Sequence, residues 1–189
     1  MKPKANRSGD VSQAGAAGYD CCQTPPYALD PLLPYVRPSW RVWEPAAGDG
    51  LMADALAAHG CEVARSDVQS GGDFFTSPAP AYDVLITNPP YSLKYAWLER
   101  CYDLGRPFAL LVPLEMLGAA KCQKLTRRHG VEVMLLSRRV NFKMPGKGWG
   151  GGGAQFPVVW LSWRLTGQPL GYGEITPRAV AQTMMQEAA

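Results

Sequence analysis

The chain holds only two histidines, His59 and His129, among its 189 residues. Its five cysteines, Cys21, Cys22, Cys61, Cys101 and Cys122, are odd in number and form no Cys-x-x-Cys pair. That shortage excludes the usual zinc frameworks, and no metal is expected. Reduced thiols in a cytoplasmic protein are the simplest reading. No apolar run approaches the ~18 residues of a membrane-spanning helix; Phe108 to Leu114 is typical of the longest. No membrane partner is expected. Met1 to Gly18 is rich in Ala, Gly and Ser and lacks the apolar core of a signal peptide. It reads as a mobile tail. No internal repeat and no second domain is evident, so residues 19–167 are expected to form one domain. Residues 168–189 read as a C-terminal tail.

What is present supports a normal core: 47% of residues are hydrophobic. The overall charge of +3 hides an asymmetry. Lys121, Lys124, Arg127, Arg128, Arg138, Arg139, Lys143 and Lys147 share the window from Ala119 to Gly150 with one acid, Glu132. The rest of the chain is net acidic. Such concentration suits a polyanion surface, and a solvated basic helix face is the plainer alternative.

Along the chain, Thr24 is placed to cap a helix with Pro25 at its first position, running towards Pro34 and Tyr35. Arg41 to Glu44 reads as a strand. After it come Pro45-Ala46-Ala47-Gly48-Asp49-Gly50 and an Ala/Leu helix closed by Gly60. A small-residue turn between strand and helix lets backbone N–H groups approach a ligand. It is not Gly-x-Gly-x-x-Gly, so a dinucleotide pyrophosphate is not its obvious ligand. The strand Cys61 to Asp67 follows. Asp67 at its end suits ribose hydroxyls, or is an ordinary strand-end turn residue. Asp73, Phe74 and Phe75 lie in the next loop. The two rings read equally as core, whereas the carboxylate can accept from an amine.

The stretch with the most chemical content is Asn88-Pro89-Pro90-Tyr91. It follows the buried strand Tyr82 to Thr87. Pro89 has no N–H for the ladder and ends the strand. Each proline also holds the residue before it extended. The result is a stiff stub at a strand's carboxyl end, where open α/β sheets bind ligands. The Asn88 side-chain oxygen and the Pro89 carbonyl are adjacent acceptors suited to an –NH2 group. The Tyr91 ring can stack on a flat heterocycle, worth about 1–3 kcal/mol for a base.

After the stub, Leu93 to Leu104 reads as a helix with Tyr95, Leu98, Cys101 and Tyr102 on its core face. Phe108 to Pro113 reads as a buried strand, Glu115 to His129 as a basic helix, and Val131 to Leu136 as the next strand. Arg139 to Phe142 and Val158 to Trp163 are expected to be hairpin strands. Between them lies a run in which six of the eight residues from Gly146 to Gly153 are glycine, with Lys147 and Trp149 among them. A flexible basic loop with one aromatic suits a flap over nucleic acid. A connector without a function is the alternative.

In order, Thr24-Pro25, Glu44 to Gly50, Asp67, Asp73-Phe74, Asn88 to Tyr91 and a late Phe142 resemble the S-adenosylmethionine-dependent amino-methyltransferases. The resemblance is closest to small, phage-type DNA adenine-N6 methyltransferases and covers about residues 20–165. It implies an α/β Rossmann-like methyltransferase fold: a mostly parallel seven-stranded sheet with helices on both faces and an antiparallel last strand. By that resemblance Thr24, Pro25, Glu44, Pro45, Ala46, Gly48 and Gly50 hold the methionine end of S-adenosyl-L-methionine. Asp67 takes its ribose, Asp73 and Phe74 its adenine, and Asn88 touches both cofactor and target. Asn88, Pro89, Pro90 and Tyr91 carry catalysis on an adenine flipped from duplex DNA, helped by Phe142. Lys121, Lys124, Arg127, Arg128, Arg138, Arg139, Lys143, Lys147 and Trp149 complete the expected nucleic-acid contacts.

Larger members of such families carry sizeable target-recognition regions. Here only the 138–157 hairpin and loop remain for that task, so the expected sequence specificity is short or weak, with phosphates giving most affinity. A monomer or weak dimer is expected. The same motif serves methylation of RNA bases and of protein glutamine, and a non-catalytic nucleic-acid-binding homologue is a further alternative. The basic window favours nucleic acid over protein but does not separate DNA from RNA.

Overall fold

The computed structural model describes residues 20, 22–144, 148–149, 156–176, 179 and 182–183. Nine strands and three α-helices are assigned among them: β1 Arg41–Glu44, α1 Leu51–Ala58, β2 Glu62–Arg65, β3 Val84–Thr87, α2 Lys94–Leu104, β4 Phe108–Pro113, α3 Ala120–His129, β5 Glu132–Leu136, β6 Lys143–Met144, β7 Gly148–Trp149, β8 Val158–Trp163 and β9 Leu170–Gly173. Seven strands form one sheet in the order β2-β1-β3-β4-β8-β5-β9; β6 pairs with β7 in a separate two-stranded ladder and bridges to Gln23 through Lys143. All neighbours in the sheet are parallel except β8, which runs antiparallel to both β4 and β5.

The strands are short, apolar and alternate between two cores. Val84 and Ile86 face one side with α1 residues Met52 and Leu56, and with Tyr27, Leu29 and Leu32 from the N-terminal segment. Leu85 faces the other with α2 residues Trp97, Leu98 and Cys101 and α3 residue Cys122. The period-2 alternation of strand side chains thus puts helices on both faces. Each fully buried Leu or Ile contributes about 1.5–3 kcal/mol relative to exposure. Trp160, fully buried, donates its indole N–H to the Ala28 carbonyl at 2.8 Å. That bond pins the N-terminal segment to the sheet.

Four sequence expectations are corrected. The segment after Thr24 is not an α-helix. It makes short 3-10 turns at Pro26–Ala28 and Leu33–Tyr35, with Pro25 rather than Thr24 at the cap and no side-chain cap bond. Pro26, Pro31 and Pro34 remove the donors a longer helix needs. The basic helix is shorter than expected, because Leu114–Gly118 is a separate 3-10 turn before α3. Arg139 to Phe142 is not a strand, and β8 does not pair with it. β8 instead enters the main sheet between β4 and β5, where both its faces are buried. Finally, residues 168–189 are more than a tail: β9 pairs in parallel with β5 and extends the sheet.

The turn from β8 to β9 is organised by a carboxylate. Glu132 accepts from the Ser162 hydroxyl, from the N–H groups of Leu165, Thr166 and Gly167, and from the Thr166 hydroxyl. Burial pushes its pKa up, but those backbone and hydroxyl donors outweigh burial and hold it below the ordinary value. The sole acid of the basic window thus has a structural task.

Candidate active site

The carboxyl ends of β2, β1 and β3 are neighbours, so the loops that follow them meet. The chain moves from β1 to β2 on one side and then returns to β3 on the other, which is the topological switch point where such sheets bind ligands. Asp20, Cys22, Gln23 and Thr24 of the N-terminal segment close the remaining side. Together they line a pocket of about 380 Å³. Small-molecule sites run from about 300 to 1,000 Å³.

Of the residues assigned from sequence to a cofactor, Thr24, Glu44, Pro45, Ala46, Gly48, Asp67, Asp73, Phe74 and Asn88 line this pocket. Pro25 and Gly50 do not. Pro25 is buried behind it at the start of the first 3-10 turn. Gly50 caps α1 in the left-handed conformation at φ +87°. Of the stub, Asn88 and Pro90 reach the pocket wall, whereas Pro89 is buried and Tyr91 lies outside the lining.

Glu44 is 2% exposed, and its Oε2 has no hydrogen-bond partner. Burial is the main cause that pushes its pKa well above the ordinary carboxylate range, with Asp54 and Asp67 adding to it and Arg65 opposing. The chain has placed an acid where its charge is costly, which suits a pocket that receives a cation. Asn88 Oδ1 is likewise shielded from solvent and unpaired. An orphaned acceptor at the end of a buried strand points to a donor supplied from outside.

The glycine turn is less open than its sequence implies. Gly48 N–H donates to Asp67 Oδ2 at 2.9 Å, and Asp49 N–H donates to Gln23 Oε1 at 2.9 Å. Gly48 has φ +51°, and a Cβ there would lie 2.4 Å from Gln23 Nε2. Both Asp67 and Asp73 also hold their own loops. Asp67 Oδ1 accepts from Gln69 N–H, and Asp73 accepts from Phe75 N–H and the Thr76 hydroxyl. A carboxylate has about four lone-pair sites, so each retains capacity for a ligand. Phe74, 3% exposed, stacks on Trp97 at 3.9 Å between ring centroids. It is part of the core as well as of the wall.

Tyr91 is half-buried. Its ring meets Phe142 edge-on at 6.5 Å and Phe156 at 5.9 Å, and its hydroxyl is buried and unpaired. Desolvation raises the Tyr91 pKa, with Cys22 and Asp20 adding to it. Phe142, expected among the nucleic-acid contacts, is 4% exposed and supports Tyr91 instead.

The basic residues do not form one surface. Lys121 stands in the first turn of α3, Arg138 and Arg139 are exposed just beyond β5, and Lys143 is in β6; all are towards the pocket end of the sheet. Lys124 is midway along α3. Arg127 and Arg128 are in its last turn, at the amino end of β5 and so at the opposite end. Lys147 and the residue 1–18 tail lie outside the described residues, as does the side chain of Trp149, whose backbone is in β7.

Sequence reading missed Asp20, Gln23, Gln69, Ser92 and Trp97 in the wall. It also missed Lys94, whose Nζ donates to the Tyr91 carbonyl at 3.2 Å and lies over the Tyr95 ring, as Lys121 does. No local pattern marks these residues. Trp97 is not among the core-face residues read from that helix (Tyr95, Leu98, Cys101 and Tyr102), and the polar residues of the wall are brought in by the fold alone. Among the described residues no group of His, Cys, Asp and Glu could hold a metal ion, and no helix is long and apolar enough to cross a membrane.

No protein-family model and no curated protein matches the sequence. Solved structures do match the fold. The methyltransferase subunit of a type I restriction-modification system from Streptococcus thermophilus aligns with a TM-score of 0.54 at 10% identity, over 88% of this chain and 52% of that one. A modification subunit assigned to a type I restriction enzyme of Vibrio vulnificus aligns with a TM-score of 0.53 at 13% identity, over 89% of this chain and 48% of that one. The chain therefore spans about half the length of either. At such identities the likeness is one of architecture: the chain has the Rossmann-like fold of these methyltransferases, with its pocket at the switch point.

Proposed function

We propose that the protein transfers a methyl group from S-adenosylmethionine to the N6 amino group of adenine in DNA. The observation that carries this reading is Asn88 Oδ1, a buried acceptor without a partner at the lip of the pocket. Two features of the pocket suit the cofactor. Its volume of about 380 Å³ suits a small molecule. The partnerless Oε2 of its buried Glu44 suits a cationic methionine end.

In this reading Thr24 and Glu44 receive the methionine end, Asp67 the ribose hydroxyls, and Asp73 with Phe74 the purine. S-adenosylmethionine, when bound, supplies a methyl already activated as a sulfonium. The chain's task is alignment of an in-line attack. The target amine donates to Asn88 Oδ1 and to the Pro89 carbonyl. Those bonds favour a more tetrahedral nitrogen, freeing a lone pair otherwise delocalised into the ring. They also stabilise positive charge as it develops on that nitrogen. An adenine reaches this position only when flipped from its duplex, at a few kcal/mol. Tyr91, braced by Phe142 and Phe156, is the aromatic neighbour on which it would rest.

The test is transfer of labelled methyl from S-adenosylmethionine to unmethylated duplex DNA, structured RNA and a protein extract, with the modified product identified by mass. N6-methyladenine in DNA is expected. Label confined to RNA bases or to glutamine would move the substrate and leave the chemistry. Cofactor binding with no label anywhere would leave a binding protein.

A further inference from the structure

Two lysines meet over one aromatic ring beside the stub. Lys94 is the first residue of α2, and its Nζ lies 5.1 Å from the Tyr95 ring centroid. Lys121 is in the first turn of α3, and its Nζ lies 6.0 Å from the same centroid. Lys94 Nζ also donates to the Tyr91 carbonyl at 3.2 Å, which ties the pair to the residue that ends the stub. Tyr95, read from sequence as core, is only half-buried, and it packs against the core that α2 and α3 share.

Local electrostatics disfavour this placement. The amino end of a helix carries about half a positive charge, so acids are stabilising there and lysine is not. Neither α2 nor α3 has an acid in its first turn, and neither has a side-chain cap. Among the described residues the ion pairs are Arg41–Asp83 and Arg65–Asp54, so neither ammonium group has a carboxylate partner there. Lysines of an ordinary solvated helix face are spread along it and interleaved with acids. These two come from different helices and converge on one ring. A local rule broken without a compensating contact marks a functional position. The counter-charge that would compensate this one is an anion.

We propose that Lys94 and Lys121 form a phosphate site for the backbone of the DNA strand whose base enters the pocket. The proposal rests on the functional reading above. A flipped base stays attached to its own backbone, so a base resting against Tyr91 brings its flanking phosphodiesters to the stub. An ammonium group has three donors. One from Lys94 serves the Tyr91 carbonyl, and two remain for phosphate oxygens. The Tyr95 ring holds both cations in place without neutralising them. The site reads no base; it fixes the register of the strand against Asn88. The footprint on DNA thus includes the starts of α2 and α3.

The experiment uses the full chain and a fluorescent mixed-sequence DNA duplex, with affinity read by anisotropy across a salt series. Lys121→Gln should lower the salt slope by about 1 and weaken binding about tenfold near ~0.1 M salt. Lys94→Gln combined with Lys121→Gln should lower the slope by about 2. Lys94→Arg and Lys121→Arg, which keep the charge, should retain the wild-type slope. The slope counts released counterions, so a lysine that only braced the stub would not move it. Inorganic phosphate at matched ionic strength should displace the DNA no better than chloride does. A wild-type slope in the double Gln variant would overturn the site and leave the functional reading standing. Displacement by inorganic phosphate beyond chloride, lost in the double variant, would assign the lysines to a free phosphate and overturn their backbone role. A wild type that binds no duplex DNA would overturn the functional reading, and this site with it.

Discussion

Replacing Asn88 with alanine is expected to stabilise the unliganded protein and to silence it. Asn88 Oδ1 is shielded from water and bonded to nothing. An acceptor in that state costs about 1–3 kcal/mol, because it has lost its water partners and gained none. Alanine removes the acceptor. It also removes the contacts of a side chain that is only half-buried, a loss of about 0.5–1 kcal/mol at the usual value per buried group. Taken at their midpoints the two leave a gain of about 1 kcal/mol. In a chain of this length each kcal/mol moves Tm by about 2–4 °C, so a rise of about 2–4 °C is expected. Differential scanning calorimetry of the unliganded variant reads it directly. S-adenosylhomocysteine affinity should change only a few-fold, since Glu44, Asp67 and Thr24 are untouched. Methyl transfer should fall by about 10²–10³ or more, the usual loss when a polar group aimed at developing charge is removed. A lower Tm would refute the view that Oδ1 is an unsatisfied acceptor. Near-normal turnover would remove Asn88 from the amine-binding role.

Further outcomes follow from the same geometry. Glu44→Gln should stabilise the unliganded protein at high pH and weaken cofactor binding. Burial raises the Glu44 pKa, so its favourable contribution is complete below the ordinary carboxylate value and is lost as pH rises through the raised one; equal Tm–pH curves for variant and wild type would contradict this. Gly48→Ala should destabilise by about 2–3 kcal/mol, adding left-handed strain to a displaced Gln23 that loses its bond to Asp49; chemical denaturation measures it, and a change under 0.5 kcal/mol would be inconsistent. Glu132→Ala strips acceptors from the fully buried Ser162 hydroxyl and from three backbone N–H groups, and should cost about 2–4 kcal/mol. Because the Glu132 pKa is lowered, the wild-type advantage over this variant should hold above the ordinary carboxylate value and vanish as pH falls through the depressed one. Neutralising Arg138 and Arg139 together should reduce the salt slope of DNA binding by about 2, whereas neutralising Arg127 and Arg128 should leave it unchanged; the reverse ranking would place the footprint at the other end of the sheet.

Local chemistry made much of this protein legible in the sequence. Pro89 and Pro90 end β3 wherever it packs, so the stub at Asn88 needed no tertiary information. Gly48, Gly50 and the Ala/Leu run after them specify strand, turn and helix by backbone rules alone, and Gly130 closes α3 where expected. The apolar runs in β3 and β4 are buried on both faces, which announces a covered parallel sheet. Tertiary structure decided what lies far apart in sequence. Val158 to Trp163 reads as a hairpin strand, but only the gap between β4 and β5 offers partners for both its edges and cover for both its faces. Leu170 to Gly173 looks too polar and short to matter until β5 presents an open edge. Arg127 and Arg128 are indistinguishable from Lys121 by charge, yet a ten-residue helix is about 15 Å long, and that length carries them to the wrong end of the sheet. Asp20 and Gln23 carry no motif; their roles arise from hydrogen bonds to groups that folding alone brings within 3.5 Å.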